Sequence, residues 1–139
     1  MKIIGFNLTK ILIERIERFE GKIEVSQNID IKDIVKDSIP ISEETVLKVD
    51  FAFQIDYSEN FAKLEFVGNL LLIPDKEELK DLLKSWKDKK IPENQRVPLF
   101  NFIMAKCNIK ALSLEDELNL PLHIPMPRVN AIKDEKSSD

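Results

Sequence analysis

The sequence predicts an α+β domain: an antiparallel sheet of about four strands with two main helices packed on one face. Two patterns carry that prediction. From Thr45 to Ile73 apolar residues recur at every second position, and beyond Pro74 they recur at helical spacing instead. A third stretch, the proline-rich strip Asn119 to Pro127, follows neither period.

The chain opens with a strand covering Lys2 to Arg15. Ile4, Phe6 and Leu8 share one parity while Ile11 and Ile13 take the other, so the strand either bulges near Thr9 or is buried on both faces. Glu17 to Gly21 reads as a turn. Ile23, Val25, Ile29 and Ile31 then alternate with polar residues along a second strand. Asp33 to Glu44 is expected to be a polar connection, with one helical turn at Ile34 and Val35 and a stop at Pro40.

Strands three and four form a hairpin whose register follows from the pattern. Thr45, Leu47, Val49, Phe51, Phe53, Ile55 and Tyr57 take one face of the third strand. Ala62, Leu64, Phe66, Gly68, Leu70 and Leu72 take one face of the fourth. For the two sets to share a face, Tyr57 must stand opposite Ala62, leaving Ser58 to Phe61 as the loop. That register sets Phe53 beside Phe66 and Phe51 over Gly68. On the opposite face it pairs Asp56 with Lys63, in position for an exposed ion pair.

Pro74 ends the fourth strand. Asp75 can cap a helix, and Glu78 completes a capping box ahead of the stripe Leu79, Leu82, Leu83 and Trp86. Lys87, Lys89 and Lys90 crowd the C-terminal turn, where the helix dipole favours cations. A second helix is expected to start near Pro98 and either run to Leu118 or restart at Ser113. Its apolar residues, Leu99 to Ile109, wrap most of the circumference, so it should be largely buried. In the following strip, Leu122, Ile124 and Met126 alternate along one side of an extended chain. The predicted organisation is one domain over residues 1–132, with residues 133–139 a disordered charged tail.

Composition narrows the chemistry. A net charge of −4 and a pI of about 5.2 argue against nucleic acid as the main partner. Met1 to Ile16 has no signal-peptide pattern, and no apolar run approaches the ~20 residues that span a bilayer, so membrane insertion is not expected and a cytoplasmic location is. One cysteine and one histidine cannot supply the usual zinc ligands, so no metal site is expected. Gly5, Gly21 and Gly68 are too far apart to cradle a phosphate, and no cofactor is expected. His123 lies among prolines and apolar residues, which favours a structural or solvent-facing role over a catalytic one. Cys107, on an apolar helix, reads as a small core hydrophobe. Trp86 suits either core packing or the wall of a groove. The polar hairpin face, with Asp50, Asp56 and Glu65, reads as a wetted surface or as a docking face for a basic partner.

The order of these elements resembles the SecB export-chaperone family, from Lys2 to about Asn130. The hairpin VLKVDFAFQIDYSENFAKLEFVGNLLLI, the helix VPLFNFIMAKCNIKAL and the strip LPLHIPMPRVN carry the resemblance, which is closer to small archaeal SecB-like proteins than to the bacterial chaperone. It implies a holdase that binds unfolded or extended polypeptides in apolar grooves without ATP, and a tetramer built as a dimer of dimers. It also implies partner docking through acidic residues of the sheet face, here Asp50, Asp56 and Glu65, diluted by Lys48 and Lys63. On the residues themselves, Phe61, Trp86, Leu122, Ile124 and Met126 are the candidate peptide-binding set; they either border a groove or seal the core. Apolar residues of both parities on the first strand predict a homo-oligomer, dimer or tetramer. The expected function is therefore that of a binding protein, not an enzyme. A structural adaptor holding one folded partner in a larger assembly, such as the ribosome, is the alternative. An enzyme assembled from scattered carboxylates is the third reading.

Overall fold

The computed structural model describes residues 1–37 and 44–130. Strands β1 (Lys2–Arg15), β2 (Val25–Asp37), β3 (Val46–Tyr57) and β4 (Ala62–Ile73) are followed by helices α1 (Lys76–Trp86) and α2 (Glu93–Glu117). The strands form one antiparallel sheet in the order β1-β4-β3-β2. The predicted fold class holds. The expected tail lies outside the described residues, as does Pro40.

The hairpin register is the one the alternation dictates: Phe53 pairs with Phe66, Ile55 with Leu64 and Phe51 with Gly68. A short 3-10 turn, Ser58–Asn60, reverses the chain, with Glu59 and Asn60 at positive φ. Phe53 and Phe66 are fully buried and stack at 5.7 Å, each burial contributing roughly 1.5–3 kcal/mol. Asp56 and Lys63 do stand opposite one another, yet no ion pair joins them. Both side chains are exposed, where water competes for the charges and the contact gains little.

In β1 the parity change is a bulge. The pairing slips between Leu8 and Lys10, and Thr9 Oγ1 donates to the Val67 carbonyl at 3.2 Å. A second slip between Ile3 and Gly5 turns Ile4 outward, so Ile3 packs against the core in its place. Gly68 lies beside the first bulge, and a Cβ there would run into the Asn7 carbonyl.

Two expectations about boundaries fail. Asp33 to Asp37 continue β2, and Ile34 is a buried strand residue paired with Val49, with no helical turn. The pairing slips between Ile31 and Asp33, which moves the apolar positions from odd to even numbers. Helix α2 begins at Glu93, with Pro98 in its second turn on the exposed side. Nor is α2 buried all round. Its buried face is Gln95, Leu99, Ile103, Cys107, Ala111 and Glu115, a stripe in steps of four, while Ile109 is 74% exposed. In α1 the capping box forms as expected: Asp75 accepts from the Glu78 amide at 2.8 Å, and Glu78 from the Asp75 amide at 3.0 Å. Both helices pack on the apolar sheet face.

Candidate functional site

The C-terminal strip is fixed by buried polar contacts that join it to α2 and β3. Helix α2 ends in a Schellman turn: Asn119 takes a left-handed φ of 54°, its amide bonds the Asp116 carbonyl, and the Leu120 amide bonds Glu115 at 2.8 Å. Arg15, at the end of β1, reaches across to this turn. Its guanidinium donates to the Leu118 carbonyl at 3.0 Å and lies 4.9 Å over the Phe61 ring. A cation at a helix C-terminus complements the free carbonyls and the dipole.

The turn brings a carboxylate and an imidazole together inside the protein. Glu115 is fully buried, and the His123 side chain is 1% exposed. His123 Nδ1 lies 2.8 and 2.9 Å from the two carboxylate oxygens of Glu115, and its backbone amide donates to the same group at 3.2 Å. The Tyr57 hydroxyl, from the end of β3, donates to Glu115 Oε2 at 2.9 Å and also faces the Pro121 carbonyl. His123 Nε2 is held 2.8 Å from Asn108 Oδ1. Burial, then the hydrogen bond to Glu115 and its negative charge, push the Tyr57 phenol well above the ordinary tyrosine range. It stays a neutral donor at any physiological pH.

This clasp sets how the strip lies. Leu120 and His123 point inward, so the anchoring side chains are not the alternating trio. Leu122 is 38% exposed and Met126 55% exposed, with Ile124 half-buried between them. Phe61 is buried in the core cluster, yet its ring reaches a hollow of about 680 Å³ that Leu122 also lines. Phe19, Ile23 and Leu120 add apolar wall, and Arg15, Arg18, Glu17, Glu20 and Asp116 mix both charges around it. Trp86 lies elsewhere. It lines a separate hollow of about 400 Å³ between the α1–α2 connection and β2. Three of the five candidate peptide-binding residues therefore divide between two depressions, and Ile124 and Met126 line neither.

The acidic sheet-face residues are largely engaged by cations. Glu65 accepts from Lys10 at 2.7 Å and from Gln54 at 3.1 Å. Those bonds hold its carboxyl below the ordinary range. Asp50 lies 3.9 Å from Lys48. Of the three, Asp56 forms no ion pair among the described residues. The Cys107 thiol is buried, and burial pushes its pKa up to about 12. No cluster of metal-ligating side chains occurs among the described residues, and none of their helices is long and apolar enough to cross a membrane.

The sequence reading missed Glu115 and Asn108 as partners of His123, and Tyr57 as a partner of Glu115. One signal was present: Glu115 occupies a position of the apolar stripe of α2, where a carboxylate has to find donors.

A four-stranded antiparallel sheet in this order, with two helices on one face and an extended C-terminal strip, is an α+β fold of the SecB type. Among solved structures it is similar to the Rv1957 SecB-like chaperone of Mycobacterium tuberculosis, in complex with a ChAD peptide from the Rv1956 HigA1 antitoxin. The TM-score is 0.50 at 15% identity, over 94% of this chain and 92% of that one. At this identity the likeness is one of fold. No protein-family profile matches the sequence, and no curated protein matches it.

Proposed function

We propose that this protein is an ATP-independent holdase that binds non-native polypeptide segments along its C-terminal strip and the adjoining hollow. One observation carries the reading: a buried polar clasp holds a proline-rich strip in place and leaves Leu122 and Met126 facing outward. A stretch that only sealed the core would bury those side chains. A strip fixed in advance loses little further ordering entropy when an extended peptide lies against it. The structural neighbour, which holds a peptide from another protein, supports polypeptide as the class of ligand.

The chain acts as an oligomer in this reading. β1 is an edge strand carrying exposed Ile4 and Ile11, and an uncovered apolar edge invites pairing with a second copy. Light scattering at micromolar concentration should give a mass above 16.1 kDa. A monomer mass throughout that range rejects the oligomer.

The test of function uses several unrelated denatured substrates. Wild type should delay their aggregation at equimolar ratio. Leu122→Ser with Met126→Ser should weaken that protection while leaving the melting temperature nearly unchanged, because both side chains are already exposed. Loss of several kcal/mol of stability in the double variant would assign the strip to the core instead. Protection of one folded partner alone, with no effect on unfolded chains, would favour the adaptor reading.

A further inference from the structure

The second hollow differs in charge from the first. Its apolar floor is Trp86 and Phe100, with Ile29 and Ile31 of β2 and Ile91 of the α1–α2 connection. Lys89, Lys90 and Arg96 also line it. All three cations are exposed, and none forms an ion pair among the described residues. Its one acidic lining residue, Asp30, is already bound by Lys32 at 2.8 Å. A depression with a positive rim, on a chain of net charge −4, is a local feature and not a reflection of composition.

The backbone adds a second observation. Helix α1 ends in its own Schellman turn, with the Lys89 amide on the Trp86 carbonyl and the Lys90 amide on that of Ser85. Lys89 occupies the left-handed position of this turn, φ 58°, where glycine is the residue of least cost. The turn holds the Lys89 ammonium 4.8 Å over the Trp86 ring, and Arg96 lies 6.0 Å over Phe100. Two of the three cations therefore rest on the aromatic floor of the groove.

We infer that this groove selects among bound segments, taking an apolar side chain flanked by aspartate or glutamate. The inference rests on the peptide-binding reading above and gives that activity a sequence preference. The apolar side chain would sit against Trp86 and Phe100, and the flanking carboxylates would meet the three cations. The hollow beside Phe61, whose charges are of both signs, would add affinity without such a preference.

The experiment uses the full chain and three labelled peptides that share one apolar centre, flanked by acidic, serine or basic residues. Fluorescence anisotropy should place the acidic-flanked peptide tightest, by on the order of tenfold over the basic-flanked one, as three exposed ion pairs allow. The gap should narrow as salt is added. Lys89→Glu with Lys90→Glu should reverse the order. Lys89→Gly removes one cation and relieves the left-handed position, so it should reduce the preference while keeping or raising the melting temperature. Equal binding of all three peptides, a basic preference, or a preference that survives the double charge reversal overturns the inference and leaves peptide binding intact. If none of the three binds, the holdase reading falls, and this inference falls with it.

Discussion

Replacing Glu115 with alanine tests whether the buried clasp holds the C-terminal strip. The carboxylate receives the Tyr57 hydroxyl at 2.9 Å, the His123 ring at 2.8 Å and the His123 amide at 3.2 Å. Removing it strands the His123 ring and amide donors, while the Tyr57 hydroxyl keeps the Pro121 carbonyl, and each unsatisfied donor costs about 1–3 kcal/mol. For two donors that amounts to about 2–6 kcal/mol. Breaking a buried charged contact of this kind typically costs about 3–5 kcal/mol, which agrees. Tyr57→Phe removes one donor and leaves the His123 contacts to Glu115, so it should cost about 1.5 kcal/mol. Glu117→Ala, on the exposed side of the same helix, should change stability by less than about 0.5 kcal/mol. Urea denaturation at one fixed protein concentration gives all three values. Native-state hydrogen exchange should show the Leu120 and His123 amides losing more protection in Glu115→Ala than strand β3 does. A loss below about 1 kcal/mol for Glu115→Ala, or no selective opening of the strip, would refute the clasp.

Three further outcomes follow from the same geometry. Gly68→Ala should cost about 1–3 kcal/mol, because its Cβ meets the Asn7 carbonyl and comes within 3.0 Å of Leu8 Cα, whereas Gly5→Ala, 3.5 Å from the nearest Leu71 atom, should be nearly neutral in urea denaturation. The Cys107 thiol, buried and with its pKa raised to about 12, should resist an aqueous thiol reagent at mildly alkaline pH and react only once the protein unfolds; rapid labelling of the native state would contradict its place in the core. Glu65, held below the ordinary carboxylate value of 4.5 by Lys10 and then Gln54, contributes stability that is present above that value and lost as pH falls through its lowered one. Comparing wild type with Glu65→Gln should therefore show a deficit of about 0.2–1 kcal/mol near neutral pH that vanishes in acid.

What could be read in the sequence depended on whether the period stayed intact. β3 and β4 keep one parity from end to end, and their register was legible to the residue. In β1 the parity change at Thr9 announced its bulge. The slip between Ile31 and Asp33 in β2 did the opposite: it placed Ile34 out of phase and made a strand resemble a helical turn. Pro98 misplaced the start of α2, since a proline ring is tolerated within a helix when it faces solvent and the lost bond is a single one. Of the site, the exposure of Leu122 and Met126 was within reach. The clasp was not, because Tyr57 and Glu115 are 58 positions apart, and Glu115 in the apolar stripe of α2 shows that donors are needed without showing which.

The sheet order also dictates a sequence of events in time. β1 pairs with β4 alone, so it has no neighbour until the three strands that follow it have been made. β2 pairs with the next strand, β3, across residues 38–45, and the β3–β4 hairpin closes through a shorter connection still. Long loops must be closed before such distant pairings bring any return, so the hairpin is the natural nucleus and β1 docks late. The Arg15 contact to Leu118 spans 103 positions, which makes the end of α2 and the strip beyond it the last part to be organised. A nascent copy of this chain therefore exposes β1 until β4 has followed it, while its own strip is not yet assembled. In the terms of the proposed function, each copy is an unfolded client before it can protect one.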